Sequence, residues 1–117
     1  MISSIGSNLS ALNALGKKLG VTSNNIANSE TEGFKKSRAV IEEGENGAVE
    51  VEIERIDTPG PIVNEVVDGN MTEKELSNVD LTEEIPQTVL IQRSYEANLK
   101  AIETQEEMIG SILDIIG

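Results

Sequence analysis

A chain of 117 residues without cysteine, histidine or tryptophan is one domain's worth of protein lacking most reactive side chains. Thiolate zinc sites, disulfides, cysteine nucleophiles and imidazole-dependent triads are excluded, and no catalytic, metal-binding or cofactor-binding residue is expected. With 9 basic against 21 acidic residues, a net charge of −12, the surface repels phosphate backbones and nucleic acid is not expected as a partner.

Residues 2–29 carry a helical pattern. Ile5, Leu9, Leu12, Gly16, Leu19, Ser23 and Ile26 follow alternating steps of four and three, a heptad seam. Only Lys17 and Lys18 are ionisable among the first 29 side chains, less charge than a solvated helix face normally carries. Ala11, Ala14, Leu15 and Val21 lie off the seam, so more than one face is made for burial. The helix should stop near Asn28, because asparagine tolerates the left-handed conformation at a helix C-terminus. Gly33 then supplies a turn before Phe34, which reads as a wedge under the helix end.

Residues 34–77 read as strand and turn. A first strand is expected over Phe34–Ile41, followed by a turn over Glu42–Gly47. Val49, Val51 and Ile53 then alternate with Glu50, Glu52 and Glu54, the period-two pattern of a half-buried strand. After Pro59-Gly60-Pro61, a further strand is expected around Ile62, Val63, Val66 and Val67. The carboxylates of residues 42–54 fall on one side with no confining pocket and read as a solvated strand face, not a metal cluster.

Residues 78–116 return to helical spacing. Asp80 with Glu83 resembles a capping box. Leu81, Ile85, Thr88, Gln92, Tyr95, Leu99, Ile102, Glu106, Ile109, Leu113 and Ile116 keep the four–three step. Pro86 lacks an amide and crowds residue 82, so a distorted or split start is expected there. Val89, Leu90 and Ile91 add apolar groups on adjacent faces, more than one partner helix covers.

The expected fold is therefore α+β and mainly α. Long N- and C-terminal helices (segments 1–30 and 78–117) pair as an antiparallel coiled coil, forming one structural domain. A small antiparallel β segment (31–77) lies between them. The aromatic inventory is Phe34 and Tyr95 alone against 32 Ile, Leu and Val residues, and so small an aliphatic chain is marginal as a lone globule. Lateral packing among copies or homologues answers its surplus of apolar surface. No run reaches the roughly 18 apolar residues of a membrane span. The N-terminus has no basic residue before Lys17 and no signal-peptide pattern, which by itself reads as cytoplasmic unless another export route operates.

Two stretches are more specific. Ser23-Asn24-Asn25-Ile26-Ala27-Asn28, followed by Thr31, Gly33, Phe34 and Lys35, resembles the N-terminal signature of bacterial flagellar axial proteins of the rod and hook. Ser77-Asn78-Val79-Asp80-Leu81, Glu83-Glu84 and Gln92-Arg93-Ser94-Tyr95-Glu96-Ala97-Asn98 resemble that family's second signature, and Lys100–Thr104 with Glu107-Met108 continue it. The resemblance implies a structural subunit of the basal-body rod that polymerises through its terminal helices, transmits torque and lines the export channel. It implies copies of itself, homologous rod or hook subunits and the flagellar export apparatus as partners. The implied location is the rod in the cell envelope, reached without a cleaved signal peptide. The short length is most like a proximal-rod protein, whereas the C-terminal segment reads more like distal-rod and hook members, and Pro86 departs from the apolar residue usual there.

On this reading the assembly interface is Leu9, Leu12, Leu19, Asn24, Asn25, Ile26 and Asn28 on the first helix. Val89, Arg93, Tyr95, Asn98, Leu99 and Ile102 supply it on the second. Gly33, Phe34, Asp80 and Pro86 shape the turns. The asparagines are either a helix end with its cap or amides offered to neighbouring subunits. Arg93 is either a solvated cation or half of an intersubunit ion pair. A different class of function stays open: a non-polymerising helical adaptor or chaperone-like module whose helices clasp a partner.

Overall fold

The computed structural model describes residues 2–116. Met1 and Gly117, the outer bounds expected for the terminal segments, lie outside the described residues. Helix α1 spans Ile2–Ala27 and helix α2 spans Leu81–Ile116. The molecule is a rod of 83 × 25 × 17 Å. The helices run antiparallel: the Asn8 amide donates to Gln105 Oε1 at 3.2 Å near one end, and the Asn25 amide donates to Glu84 Oε2 at 3.3 Å near the other.

The face that α1 turns to its neighbours is centred on Leu12, Ala14, Leu15, Thr22 and Asn25, all buried. That face lies roughly a third of a turn from the expected seam, of which Leu9, Gly16, Leu19 and Ser23 are exposed. On α2 the packed line is Glu84, Thr88, Ile91, Asn98, Ile102 and Gln105, displaced to one side of the expected seam, so Leu81, Ile85, Leu99 and Leu113 face outward. Burial of Leu12, Leu15 and Ile91 contributes about 2 kcal/mol each. Among the described residues the apolar core is completed by Ala14 and Ala39 alone, which is thin for a chain of this length.

α1 ends at Ala27 without a left-handed residue. The Asn28 amide donates to the Asn24 carbonyl at 3.1 Å, and its side-chain amide reaches the same carbonyl at 2.9 Å. Asn28 thus caps through its side chain, not through positive φ; the positive φ falls at Gly33, +69°. At the start of α2, Asp80 accepts from the Thr82 amide at 3.0 Å and the Thr82 hydroxyl at 2.6 Å. The Thr82 hydroxyl, then its amide, holds the Asp80 carboxyl below the usual carboxylate range. The reciprocal half of the capping box is absent, because Glu83 turns instead toward Lys36 and Arg38. α2 also runs through Pro86 unbroken, so the expected split does not occur. The proline removes one bond from the second turn, and its ring lines a cleft beside Thr22 and Arg38.

Between the helices stand two separate antiparallel hairpins, not one small sheet. Strands β1 (Ser37–Glu43) and β2 (Val49–Arg55) pair with Ala39 opposite Ile53 and Ile41 opposite Val51. β1 starts later than expected and takes in Glu42 and Glu43, because the turn closes tightly over residues 44–48 with Asn46 and Gly47 at positive φ. Strands β3 (Ile62–Val67) and β4 (Asn70–Glu75) are joined by Asp68-Gly69, both at positive φ. That two-residue turn matches the natural twist of a hairpin.

Candidate functional site

The two signature stretches meet where α1 ends and α2 begins. Asn25 and Glu84 are each 0% exposed. The Asn25 side chain treats Ser37 as a strand treats its neighbour: its amide donates to the Ser37 carbonyl at 2.8 Å and its oxygen accepts from the Ser37 amide at 3.0 Å. A backbone edge that would otherwise be orphaned is thereby satisfied. The same Asn25 amide reaches Glu84, whose other oxygen accepts from Arg38 Nη1 at 3.1 Å. Arg38 forks, its second nitrogen meeting Glu83 at 3.3 Å. A buried carboxylate is tolerated only when paired and hydrogen-bonded, and Asn25 and Arg38 supply both conditions from the far side of the sequence.

A second layer of polar contacts lies beside the first. Asn78 Oδ1 accepts from the Lys36 amide at 2.7 Å, while its amide donates to the carbonyls of Ile56 at 2.8 Å and Thr58 at 3.0 Å. One side chain therefore ties together the entry to β1, the exit from β2 and the approach to α2. Lys35 forms an ion pair with Glu75 and also donates to the Thr58 carbonyl at 3.2 Å. The Gly60 amide donates to the same Glu75 carboxylate at 3.1 Å, and the Gly33 amide donates to the Glu75 carbonyl at 3.0 Å. Lys35 first, then the Gly60 amide, holds the Glu75 carboxyl below its usual range. Gly60 is required sterically: a Cβ there would lie 2.0 Å from the Leu76 carbonyl oxygen. Among the described residues every buried side-chain nitrogen and oxygen has a partner. The junction is a lock rather than a reactive centre, and no group of acidic residues described is placed to hold a metal.

Away from the junction, the two helices leave an open groove. Leu15, Gly16 and Leu19 form one wall, and Thr88, Ile91, Gln92 and Tyr95 the other. Of the residues expected at an interface, Leu19 and Tyr95 line this groove, and both are exposed. Leu9 (55% exposed), Val89 and Leu99 (46%) also face solvent. Asn24 and Arg93 are exposed, and Arg93 has no ion-pair partner among the described residues. Ile26, Asn28, Asn98 and Ile102 are half-buried, Asn98 spending its amide on the Ser94 carbonyl at 2.9 Å. Leu12 is buried.

Asn25 departs most from expectation. It is enclosed and its amide is consumed within the chain, so it joins the chain's own two ends instead of reaching a neighbour. Asn24 and Asn28 likewise bond one another at 3.2 Å as part of a helix end. Phe34 is half-buried, its carbonyl accepting from the Asn78 amide at 3.3 Å. The sequence reading had assigned no role to Glu84, Asn78, Arg38 or Glu75. One signal was present: Glu84 stands in line with Thr88 and Ile91 over about two helical turns, a carboxylate placed on an inward-facing stripe.

Profiles of known protein families match both stretches. The family described as Flagella basal body rod protein matches residues 5–35, and that described as Flagellar basal body rod FlgEFG protein C-terminal matches residues 71–115. No curated protein matches the chain. The two matches bracket the junction, with Asn25 inside one and Asn78 and Glu84 inside the other. Both families are structural, not enzymatic, and no helix among the described residues is long and apolar enough to cross a membrane. Matched at both ends in the family's order, the chain belongs to the flagellar basal body rod proteins, a family of the flagellar basal body.

Proposed function

We propose that this chain is a rod subunit that polymerises with copies of itself and with homologous rod or hook subunits through the outward faces of α1 and α2. One observation carries the reading. The four–three seams on both helices are used only in part within the chain: Leu12 is buried and Thr88 and Ile102 are half-buried, while Leu9, Leu19, Tyr95 and Leu99 remain exposed along and beside the groove. A heptad repeat of apolar residues wants a helix against it, and a monomer that leaves two such seams partly open is built to be covered. The junction supports this division of labour. It fixes the helix pair internally, through Asn25 and Glu84, and so frees the opposite faces for neighbours.

In this reading the assembled helices line the export channel and carry torque along the rod. The chain travels through the flagellar export apparatus without a cleaved signal. Its short middle segment favours a proximal-rod role, and the resemblance of its C-terminal segment to distal-rod and hook members favours the other. Copy number separates the two. Quantitative mass spectrometry of purified basal bodies should find this chain, at a few copies for a proximal subunit and at many for a distal one. A chain abundant in the cytosol and missing from basal bodies would sink the reading. Leu19→Glu with Leu99→Lys should leave the monomer folded and abolish incorporation; normal incorporation would remove the helix faces from the interface.

A further inference from the structure

Among the described residues, the β3–β4 hairpin is an arm that packs on no helix or other strand pair beyond its base. Val63, Val66, Val67 and Met71 are exposed, Met71 at 72%. Alternation sends Val66 and Met71 to one face and Val63 and Val67 to the other, so both faces are partly apolar. An isolated two-stranded hairpin is marginal in water, yet its base is secured by Lys35, Gly60 and Glu75. A ribbon so firmly rooted and so openly apolar is presented to a partner.

Geometry narrows the partner. α2, 36 residues long, accounts for about 54 Å at 1.5 Å per residue, against a molecular length of 83 Å. The β1–β2 hairpin lies alongside α1, with Val49 bonded to Ser10 and Gly47 near Ser7. The remaining length belongs to the junction and the arm, which project along the long axis from the end where α1 stops. A copy stacked in the same orientation on that end brings its opposite end to the arm. Two helix segments are available there. The late turns of α2 carry Glu103, Glu106, Glu107 and Asp114, which repel an arm bearing Glu65, Asp68 and Glu73. The first 29 residues of the chain, which include all of α1, carry no carboxylate; their two lysines, Lys17 and Lys18, stand about 12 Å further along α1 from Leu9, neither with an ion-pair partner among the described residues. Among the described residues, the exposed apolar side chain on α1 there is Leu9, at 55%.

We propose that the arm of one copy seats on the outer face of α1, around Leu9, of a second copy stacked along the long axis. This rests on the assembly reading above and specifies its axial contact. Because donor and acceptor surfaces differ, the contact is head-to-tail and leaves a free arm at every step, the geometry of a filament and not of a closed dimer.

The chain has no native cysteine, so engineered pairs report cleanly. Basal bodies carrying Val66→Cys with Leu9→Cys should yield, on oxidation, covalent multimers of this chain at least tenfold above those from Val66→Cys alone. The pair Val66→Cys with Leu113→Cys should stay at the background. Multimers from the Leu113 pair, or disulfides to nothing while the chain is present in basal bodies, would overturn the seat on α1 and leave the assembly reading standing. The double variant Val66→Glu/Met71→Glu gives an independent arm. It should keep the monomer's thermal midpoint, since Val66 and Met71 are exposed in the monomer, and lose at least tenfold in incorporation. Incorporation at the unmodified level overturns the docking whatever the disulfides show. Absence of even the unmodified chain from basal bodies would defeat both the docking and the assembly reading beneath it.

Discussion

β1–β2 and β3–β4 are antiparallel hairpins of seven and six residues per strand, yet one lies along α1 and the other stands clear of everything but its base. Their apolar content does not explain the difference; the arm has more exposed Val and Met than β1–β2 has buried. Backbone partners do. β1 begins at Ser37, where Asn25 completes its hydrogen bonding, and β2 begins at Val49, whose amide donates to the Ser10 hydroxyl at 2.8 Å. Small Ala39 then lets the ribbon approach the helix closely. The arm has no such polar clips along its length. A few part-buried polar contacts therefore decide which ribbon belongs to the monomer and which is left for assembly.

The largest effect should come from removing the charge partner of the buried carboxylate. Arg38→Met leaves Glu84 enclosed with only the Asn25 amide, and it should cost about 3 kcal/mol of unfolding free energy. Chemical denaturation measures this directly. Arg38→Met combined with Glu84→Leu should recover most of the loss, because the uncompensated charge goes with its partner. If the single variant unfolds like the unmodified chain, Glu84 is not held as a paired ion and the distinction between the hairpins loses its basis.

Next in size is the arm's root. Gly60→Ala forces a methyl against the Leu76 carbonyl, and the backbone must shift at a cost of about 2 kcal/mol. Hydrogen exchange should quicken at Gly60, Leu76 and the base of the arm while β1–β2 keeps its protection. Equal loosening of both hairpins would mean that the junction is a single cooperative unit. Gly33→Val is smaller, about 1–2 kcal/mol, because a branched side chain is strained at a φ of +69° even though space around it is open. That variant should weaken the turn after α1 and the Gly33–Glu75 bond together.

How far the sequence could be read follows the same division. Both helices, the β character of the middle and the turn at Gly33 were legible, since periodicity and glycine chemistry are local, whereas the positive φ was expected at Asn28 and falls at Gly33. The Asp80 cap was legible too, but not the fate of Glu83, because a carboxylate at that position serves its own amides only when no guanidinium from elsewhere competes. β4 was invisible: Asn70-Met71-Thr72-Glu73-Lys74-Glu75 has no aliphatic alternation, and only Asp68-Gly69 marks it as the return of a hairpin. The seams were found, but the face packed within the chain was not, because steps of four and three describe any apolar stripe and do not say whose partner it meets. Asn25 shows the limit most sharply. Its motif was recognisable, and its role depends on Ser37 and Glu84, which a spacing rule within one helix never sees.

The smallest expected effect is a titration that acts on the arm's root alone. Glu75 accepts from Lys35 and from the Gly60 amide, and both lower its carboxyl below the usual range. A carboxyl whose folded value is depressed stabilises the fold above its unfolded value and loses that contribution as pH falls through the folded one. The unfolded value for glutamate is about 4.3, so the root should be fully held at neutral pH and begin to loosen only in more acidic solution. Glu75 is solvent-accessible, so solvent screens the contribution and the global midpoint should move little. Exchange at the Gly60 amide should instead rise selectively as pH drops, after correction for intrinsic exchange, and Glu75→Gln should show the loosened pattern at neutral pH. If the Gly60 amide stays equally protected across that range, then the close fit of Gly60 against Leu76, and not the ion pair, roots the arm.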